Sequence, residues 1–312
     1  MIISVTMNPA LDKTVYLDSL EVGGLNRISA IELDAGGKGI NVSKTINELG
    51  GVSVATGFIA GSIGEYIRKD LENAGIITNF VNVEGETRTN TKIITKEGIL
   101  TELNEPGFEV TSNEVERLFD ILISYANSEA IFILTGSVPK GVETDVYAKL
   151  IDALKGRGSK VLLDAQGELF EKGCERGPTI IKPNDYELSL FLGREIDKND
   201  FLKVDLMEEV EKCFFGLGID EIIISLGKEG AVFLLPGRRV ICRGINVEVL
   251  STVGAGDAMV AAIALGMERQ LSQEEVMRLA MATATGAVMT NGTKPPAKNV
   301  VEKLLKEVTF IE

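Results

Sequence analysis

The stretch Ser251-Thr252-Val253-Gly254-Ala255-Gly256-Asp257-Ala258 places a glycine-rich turn directly before an apolar segment that continues to Met267. A turn of this kind, followed by a helix, points several backbone N–H groups and the positive end of the helix dipole at one place. Such a place suits an anion, for example a phosphoryl group. Asp257 is predicted to lie in the first turn of that helix, where a carboxylate can accept a proton from an attacking hydroxyl. An aspartate that only complements the helix dipole would have the same sequence context.

Two common nucleotide-binding loops do not match this stretch. Met259 stands where the dinucleotide fingerprint requires its third glycine, and no Gly-Lys-Ser/Thr follows as it does in a Walker loop. The pattern therefore predicts an anion site of another kind.

Outward from this stretch, short β-branched runs alternate with amphipathic segments along most of the chain, as in βαβ units around a parallel sheet. The predicted strands are Ile2–Met7, Val52–Ile59, Ala130–Thr135, Lys160–Ala165, Thr179–Lys182, Glu221–Leu226 and Ala231–Leu235. The predicted helices are Ile40–Leu49, Gly64–Asn73, Ser112–Ala126, Thr144–Gly156, Asp185–Leu192, Asp205–Gly216, Ala255–Met267, Ser272–Met289 and Asn299–Val308. No internal repeat or proline-rich linker divides the 312 residues, so we expect one domain over residues 1–312.

Two segments interrupt the βαβ rhythm and are predicted to be hairpins. Their strands are Thr14–Leu20 with Ile28–Asp34, and Thr91–Thr95 with Ile99–Asn104. We expect them to form a small sheet beside the main one, a lid or dimer contact built from residues 13–34 and 88–106. Two surface hairpins without a function are the alternative.

The composition excludes several kinds of chemistry. A net charge of -14 argues against nucleic acid and anionic membranes as partners, and the absence of histidine excludes Ser-His and Cys-His nucleophiles and His-ligated metals. Cys174, Cys213 and Cys242 lack a C-x-x-C spacing and are predicted to be free thiols. The longest charge-free apolar stretches reach about half of the ~20 residues that span a bilayer, and no leader sequence is recognisable. We therefore expect a cytoplasmic protein.

Two further motifs carry polar groups suited to sugars and phosphates. Ala35-Gly36-Gly37-Lys38-Gly39-Ile40-Asn41-Val42 combines glycines that let a ligand approach the backbone with a cation and an amide that can both donate and accept. Lys182-Pro183-Asn184-Asp185-Tyr186-Glu187 follows a predicted strand and places Asn184 and Glu187 on one helical face, as oxygen groups for Mg²⁺. A flexible loop and a helix N-cap explain the two motifs equally well.

Additional candidates lie where predicted strands end, the usual place for ligands in open α/β sheets. Asp12 is expected at the end of the first strand region, where it could accept hydrogen bonds from sugar hydroxyls. Arg88 begins the second hairpin and suits a substrate that already carries a phosphate. The remaining candidates are Ser137 after the third strand, and Ser225, Gly227 and Gly230 in a turn where a nucleotide could lie.

In combination these motifs resemble the PfkB family of carbohydrate kinases, from residue 1 to about residue 292. The resemblance implies a ribokinase-like fold: a three-layer α/β/α sandwich with a mostly parallel central sheet and a small β-sheet lid. It implies that Asp257 is the catalytic base and that Gly254, Ala255 and Gly256 form the anion hole. The implied sugar-phosphate residues are Asp12, Gly36, Gly37, Lys38, Asn41, Arg88 and Ser137. The implied residues for ATP and Mg²⁺ are Lys182, Asn184, Ser225, Gly227, Gly230, Asn291 in the penultimate helix, and Glu187 for the metal through water.

The resemblance also implies a substrate class. Ser251 stands where many ribokinase-type sugar kinases have Asp, which is similar to the branch that phosphorylates sugar phosphates. The expected reaction converts fructose 1-phosphate to fructose 1,6-bisphosphate with ATP and Mg²⁺, and tagatose 6-phosphate is the alternative substrate. A non-catalytic sugar-phosphate sensor is the more distant alternative, and a homodimer through the lid is the expected assembly.

Overall fold

The computed structural model describes residues 1–196, 200 and 203–311. Its strands are β1 Ile2–Thr6, β2 Ala10–Leu17, β3 Ala30–Gly36, β4 Ser53–Ala60, β5 Ile77–Val83, β6 Arg88–Thr95, β7 Leu100–Asn104, β8 Ile131–Thr135, β9 Lys160–Asp164, β10 Ile180–Ile181, β11 Glu221–Ser225, β12 Gly230–Leu235, β13 Arg238–Arg243 and β14 Phe310–Ile311. Its α-helices are α1 Lys38–Glu48, α2 Gly61–Asn73, α3 Ser112–Tyr125, α4 Val146–Lys155, α5 Glu168–Cys174, α6 Asp185–Phe191, α7 Val204–Phe215, α8 Ala255–Glu268, α9 Gln273–Val288 and α10 Lys298–Leu304.

Ten strands form the main sheet, in the order β14-β13-β12-β11-β10-β9-β8-β1-β4-β5. The seven strands from β11 to β5 in that order are parallel to their neighbours, whereas β12, β13 and β14 pair in antiparallel fashion. The register aligns Thr6 with Thr135 and Thr135 with Asp164. Three adjacent strands therefore end together, and their last residues lie at one edge of the sheet.

The alternation of side chains along the central strands divides the core into two layers. Ile131 and Ile133 pack on one face with the apolar helix α8 and with α9, while Phe132 and Leu134 pack on the other face with α3 and α4. Buried strands with helices on both faces are what near-continuous apolar strand sequences predict. The predicted three-layer α/β/α arrangement with a mostly parallel sheet is confirmed.

A second sheet of four strands, in the order β3-β2-β6-β7, contains both predicted hairpins. Its two halves join through a parallel pairing of β2 with β6, which aligns Ala10 with Arg88 and Asp12 with Asn90. The last strand of this sheet, β7, ends at Asn104. The first strand, β2, begins at Ala10, whereas the predicted lid segment begins at residue 13. Because of this longer strand, Asp12 lies inside β2 and not at a strand end, so the predicted position of Asp12 is corrected.

Several elements were absent from the sequence prediction. They are β5, α5, β13 and β14. Ile77–Val83 mixes exposed, half-buried and buried residues without a strict alternation, and α5 has only seven residues, so neither produces a strong periodic signal. The strand β14 has two residues and exists through its pairing with β13. No helix within the described ranges is long and apolar enough to cross a bilayer.

Gly57 is expected to be essential for pairing β4 with β1. Its φ is 133°, and a Cβ there would overlap the backbone carbonyl of Thr6 on the neighbouring strand. Gly75, with φ 83°, has no atom within 4 Å of such a Cβ, so it is a matched control that carries backbone strain alone. Gly57→Ala should lower the free energy of unfolding by at least about 3 kcal/mol, whereas Gly75→Ala should cost about 1–2 kcal/mol. Denaturant unfolding measures both, and equal losses would contradict the steric explanation.

Candidate active site

A cleft of about 1140 Å³ lies between the carboxyl edge of the main sheet and the small sheet. The main sheet contributes residues from the ends of β1, β8, β9 and β11, and the small sheet contributes residues of β2, β6 and β7. Ligands of open α/β sheets bind at this edge because the loops that leave the strands converge there.

The N-terminus of α8 opens into the cleft. Gly254, the residue before the helix, adopts φ 85°, and a Cβ there would come within 3.3 Å of the backbone of Thr293. The N–H groups of Ala255, Gly256 and Asp257 belong to the first turn, where no intrahelical acceptor exists, and glycine supplies no side-chain cap. Three backbone donors therefore meet at the positive end of a buried helix, which is an arrangement that binds anions.

Asp257 is 6% exposed and accepts a hydrogen bond of 2.8 Å from Nδ2 of Asn41 in the first turns of α1. Burial raises the pKa of Asp257 to about 6, against the lowering effect of Lys38, and Asp164 raises it further. Asn41 and Lys182 act in the lowering direction. A carboxylate with such a pKa is ionised at neutral pH and still accepts a proton readily, as a general base requires.

Asp164, the last residue of β9, forms ion pairs with two lysines. Its Oδ1 lies 3.0 Å from Nζ of Lys182, and its Oδ2 lies 3.3 Å from Nζ of Lys38. Thr135 donates its hydroxyl to the same carboxylate at 2.9 Å. Burial alone would raise the pKa of Asp164, but Lys182 and Lys38 hold it well below its usual range. Burial opposes ionisation of Lys38 as well, yet the carboxylates around it, Asp164 foremost, raise its pKa.

The glycines at the start of α1 allow the helix to pack closely on the end of β1. A Cβ on Gly37 would come within 2.7 Å of Thr6, and one on Gly39 would overlap the Thr6 hydroxyl and lie 2.7 Å from the carbonyl of Val5. The glycines allow the N-terminus of α1 to pack directly on the end of β1. This close packing is what carries Lys38 and Asn41 into the cleft.

The small sheet forms a polar wall centred on Asp12. Asn90 donates to its carboxylate at 3.3 Å, and Nζ of Lys92 lies 3.5 Å from the other oxygen. Gly36 leaves room for this carboxylate, since a Cβ there would approach it to 2.9 Å. Arg88 is half-buried and donates to the backbone carbonyls of Asn8, at 3.1 Å, and Pro9, so its guanidinium is held at the wall; desolvation lowers its pKa.

Glu187 and Asn184 form a capping box at the start of α6. Asn184 Oδ1 accepts from the backbone N–H of Glu187 at 2.7 Å, and Glu187 Oε2 accepts from that of Asn184 at 2.9 Å. Gln166 donates to the other carboxylate oxygen at 2.8 Å. Each oxygen keeps a lone-pair direction, so Glu187 fits the water-mediated binding that Mg²⁺ prefers beside phosphates. Over residues 1–196, 200 and 203–311, no cluster of three carboxylate, thiol or imidazole ligands would hold a metal directly.

The far end of the cleft is lined by the turn between β11 and β12. The backbones of Ser225 and Asn184 form an isolated parallel β-bridge. Gly227 and Gly230 adopt positive φ angles of 60° and 112°. A Cβ on Gly227 would meet no atom within 4 Å, whereas a Cβ on Gly230 would overlap the carbonyl of Cys242. The turn is therefore open on one side and tightly packed on the other, and it presents its backbone to the cleft.

The structure brings nearly all candidate residues into this one cleft. Those that line it are Asp12, Gly37, Lys38, Asn41, Arg88, Ser137, Lys182, Asn184, Glu187, Ser225, Gly227, Gly230, Gly254, Ala255, Gly256 and Asp257. Two candidates do not line it. Gly36 lies behind Asp12, and Asn291 follows the end of α9 at Val288 instead of lying within that helix, so its predicted position is wrong. Thr293, two residues further on, lines the cleft in its place.

Sequence reasoning missed residues whose importance depends on pairing. Asp164 ends a buried strand, and an acidic residue at that position was the available signal. Thr135 ends β8 and gained significance only through its contact with Asp164. Asn90 and Lys92 alternate along β6, so both face the same side as Arg88, but the partner strand β2 had to be known first.

Comparison with known proteins agrees with this fold and cleft. A 1-phosphofructokinase from Vibrio cholerae is 33% identical over 93% of this chain and 90% of its own length. A tagatose-6-phosphate kinase from Staphylococcus epidermidis is 34% identical over the whole of both chains. The crystal structure of phosphofructokinase-2 from Escherichia coli in complex with potassium superposes with a TM-score of 0.91 at 27% identity, covering 98% of each chain.

The ribokinase-like fold and the anion site beside a buried carboxylate define a sugar kinase, which transfers a phosphoryl group to a hydroxyl. Residues 5–299 match the pfkB family of carbohydrate kinases, and the chain belongs to that family. The relatives that match it over nearly its full length are named as kinases of sugar phosphates.

The burial of Asp257 should cost stability at neutral pH. Its pKa rises from 3.8 to about 6 on folding, so the folded state binds the proton more tightly and loses stability as the pH rises from about 4 through 6. Asp257→Asn should therefore raise the free energy of unfolding at pH 8 by up to about 3 kcal/mol, and the gain should fade near pH 4. Denaturant unfolding at several pH values measures this.

Glu274→Gln is the control for that experiment, because it removes an exposed carboxylate from α9 that pairs with Arg278. It should change the free energy of unfolding by less than about 1 kcal/mol at every pH. An Asp257→Asn variant that is less stable than the unmodified protein at pH 8 would contradict the expectation.

Proposed function

We propose that this kinase transfers the γ-phosphoryl group of ATP to a hydroxyl of a phosphorylated ketohexose, and that its substrate is fructose 1-phosphate, which becomes fructose 1,6-bisphosphate. One observation carries the proposal: the buried Asp257 lies in the first turn of α8, whose backbone N–H groups have no intrahelical acceptor and no side-chain cap. A base and an anion site that share one turn suit a hydroxyl that attacks a phosphoryl group.

In this mechanism Asp257 accepts the proton of the attacking hydroxyl as the new O–P bond forms, and the bond between the γ-phosphorus and its bridging oxygen breaks to release ADP. The N–H groups of Ala255 and Gly256 stabilise the charge on the transferred group, and Gly254 shapes the turn. Phosphoryl transfer passes through a loose transition state, so positioning and electrostatics supply most of the catalysis. Asn41 fixes the orientation of the base through its 2.8 Å hydrogen bond.

The sugar phosphate is proposed to bind against the wall of the small sheet. Asp12 accepts hydrogen bonds from sugar hydroxyls, and Arg88 and Ser137 bind the existing phosphate. Gly36 and Gly37 give the sugar and Asp12 their space. The unpartnered Oδ1 atoms of Asn41 and Asn90 are buried acceptors that suit hydroxyl donors; they are among the few buried side-chain atoms of the described residues without a hydrogen bond.

ATP is proposed to occupy the far end, with its phosphates near Lys182 and Asn184, while Lys38 is proposed to contact the sugar phosphate. Ser225, Gly227 and Gly230 form the wall for the nucleotide. Mg²⁺ would be held by Glu187 through water, where it would neutralise phosphate charge. In this site Lys182 is 5% exposed, and its position depends on Asp164.

The small sheet is proposed to act as a lid over the sugar and as the contact of a homodimer. It exposes large apolar side chains on outer strands, a composition that is typical of protein interfaces. These side chains are Ile31, Leu33, Leu100 and Leu103, each between 46% and 57% exposed.

Tagatose 6-phosphate is the second candidate substrate. The tagatose-6-phosphate kinase from Staphylococcus epidermidis matches this chain over the full length of both proteins, at an identity similar to that of the 1-phosphofructokinase. Both substrates carry one phosphate and a free primary hydroxyl that can receive the second, so a comparison of rates must decide between them.

A coupled assay of ADP release tests the proposal with MgATP and a panel of fructose 1-phosphate, tagatose 6-phosphate, fructose 6-phosphate and fructose. We expect kcat/KM to be highest for fructose 1-phosphate and lowest for fructose, because the wall supplies cations for a phosphate. A preference for tagatose 6-phosphate would replace the substrate and keep the mechanism. Turnover of fructose at the highest rate, or of no compound, would contradict the proposal.

Asp257→Asn tests the proposed base. It should lower kcat by roughly 10²–10⁴ and leave ATP affinity, measured by calorimetry, largely unchanged. The unmodified enzyme should lose kcat as the pH falls through about 6, where Asp257 becomes protonated. The Glu274→Gln variant serves as control and should retain both kcat and its pH dependence. Near-normal turnover of Asp257→Asn would overturn the assignment.

A further inference from the structure

Asp164 joins two cations that come from separate parts of the chain. Lys38 begins α1 after the early glycine-rich segment, and Lys182 follows β10 in the second half of the sequence. Asp164 lies 2% exposed between them and pairs one carboxylate oxygen with each ammonium group, at 3.3 Å and 3.0 Å. A carboxylate that divides its oxygens in this way fixes the positions of both cations.

The carboxylate itself is held by neighbours that cannot move easily. Thr135, aligned with Asp164 on β8, donates its hydroxyl to it at 2.9 Å. The buried Tyr147 of α4 donates to the backbone carbonyl of Thr135, also at 2.9 Å. The orientation of Asp164 therefore derives from the central strands of the sheet and from the helix packed against them.

The two lysines face Asp257 from different elements. A Cβ on Gly256, the residue beside Asp257, would come within 3.4 Å of Nζ of Lys182, so this ammonium group lies directly against the first turn of α8. Lys38 acts on Asp257 from α1, where Asn41 also binds it, and Asp164 acts on it from β9. Among the described residues, the charged groups that act most on Asp257 are therefore Lys38, Lys182 and Asp164, the anion that pairs with both.

We propose that Asp164 is a positioning residue for phosphoryl transfer, which fixes the ammonium groups of Lys38 and Lys182 beside Asp257 and adjusts how tightly that base holds a proton. Two unpaired ammonium groups would favour the ionised base so strongly that it would accept a proton poorly. The negative charge of Asp164 offsets them and keeps both side chains aimed into the cleft. The inference rests on the proposed function, since it takes Asp257 as the base.

Asp164→Asn tests the inference, because asparagine keeps the shape of the side chain and removes its charge. The acid limb of the kcat–pH profile should move down by about one pH unit. The reason is that the variant loses a carboxylate that raises the pKa of Asp257, while the two lysines that lower this pKa remain. The value of kcat at its optimum should fall by roughly 10-fold to 100-fold, because the lysines lose their anchor. The control Glu274→Gln should leave both quantities unchanged.

A folded Asp164→Asn enzyme whose acid limb stays in place or moves up would overturn the inference. A residue that only stabilised the fold would lower the amount of active protein without moving this limb. Circular dichroism of each variant establishes that the comparison is made between folded proteins.

A second measurement needs no change at Asp164, since loss of a buried ionic partner can prevent folding. Carbon-13 NMR of the unmodified protein with labelled aspartate carboxyls should show that Asp164 stays ionised down to the lowest pH at which the protein is folded. Asp257 should titrate near pH 6, and its resonance should disappear in Asp257→Asn. Titration of Asp164 in the ordinary range near pH 4 would overturn the inference, because a neutral acid cannot hold two ammonium groups.

The two hypotheses fail in different ways. If Asp257→Asn retained normal turnover, the assignment of the base would be lost, while the NMR titration would still report whether Asp164 is the ionised partner of both lysines. If Asp257→Asn lost turnover and Asp164→Asn left the acid limb in place, the proposed function would stand and the inference about Asp164 would be lost.

Discussion

The hydrogen bond from Asn41 to Asp257 is the constraint on which the site depends, since it joins residues 216 positions apart in the sequence. For this contact to form, the N-termini of α1 and α8 must meet above the ends of the central strands. Gly39 lets α1 approach the backbone of Val5, and Gly254 lets the chain turn sharply into α8. Both helices then point their positive ends at one place, and any ligand bound there experiences both.

The apolar character of α8 explains why Asp257 has an unusual proton affinity. From Ala258 to Leu265 every residue of the helix is buried, so the helix is held within the core and its first turn is buried with it. A carboxylate in that turn is poorly solvated, and Lys38, Asn41 and Lys182 compensate for part of this loss. The burial of the Asp257 carboxylate therefore lowers the free energy of unfolding at neutral pH. Such a loss is common at sites where a protein binds or transforms a ligand.

Much of the architecture was predictable because it depends on periodicity, whereas the paired contacts were not. The strand–helix alternation and the turn before Asp257 are local patterns, and the structure retains them. The seven-residue helix α5 and the two-residue strand β14 are too short to show a period. Asn291 was misplaced because its position came from the family resemblance, whereas the predicted helix ends at Met289 and α9 ends at Val288, both before Asn291. Asp164 could be recognised only after three strands were placed side by side.

A chain with a net charge of -14 binds anionic molecules only if the field inside the cleft differs from the field of the whole surface. Salt screens the distant surface carboxylates within about 8 Å at physiological ionic strength, whereas groups that line the cleft act across less water. The cations of the cleft include Lys38, Lys182 and Arg88. The positive ends of α1 and α8 add to the field that these cations produce. Asp164 offsets part of this field, because it pairs one carboxylate oxygen with each of the two lysines. The cleft therefore holds a local group of cations, and the overall acidity of the chain still opposes nonspecific binding to polyanions.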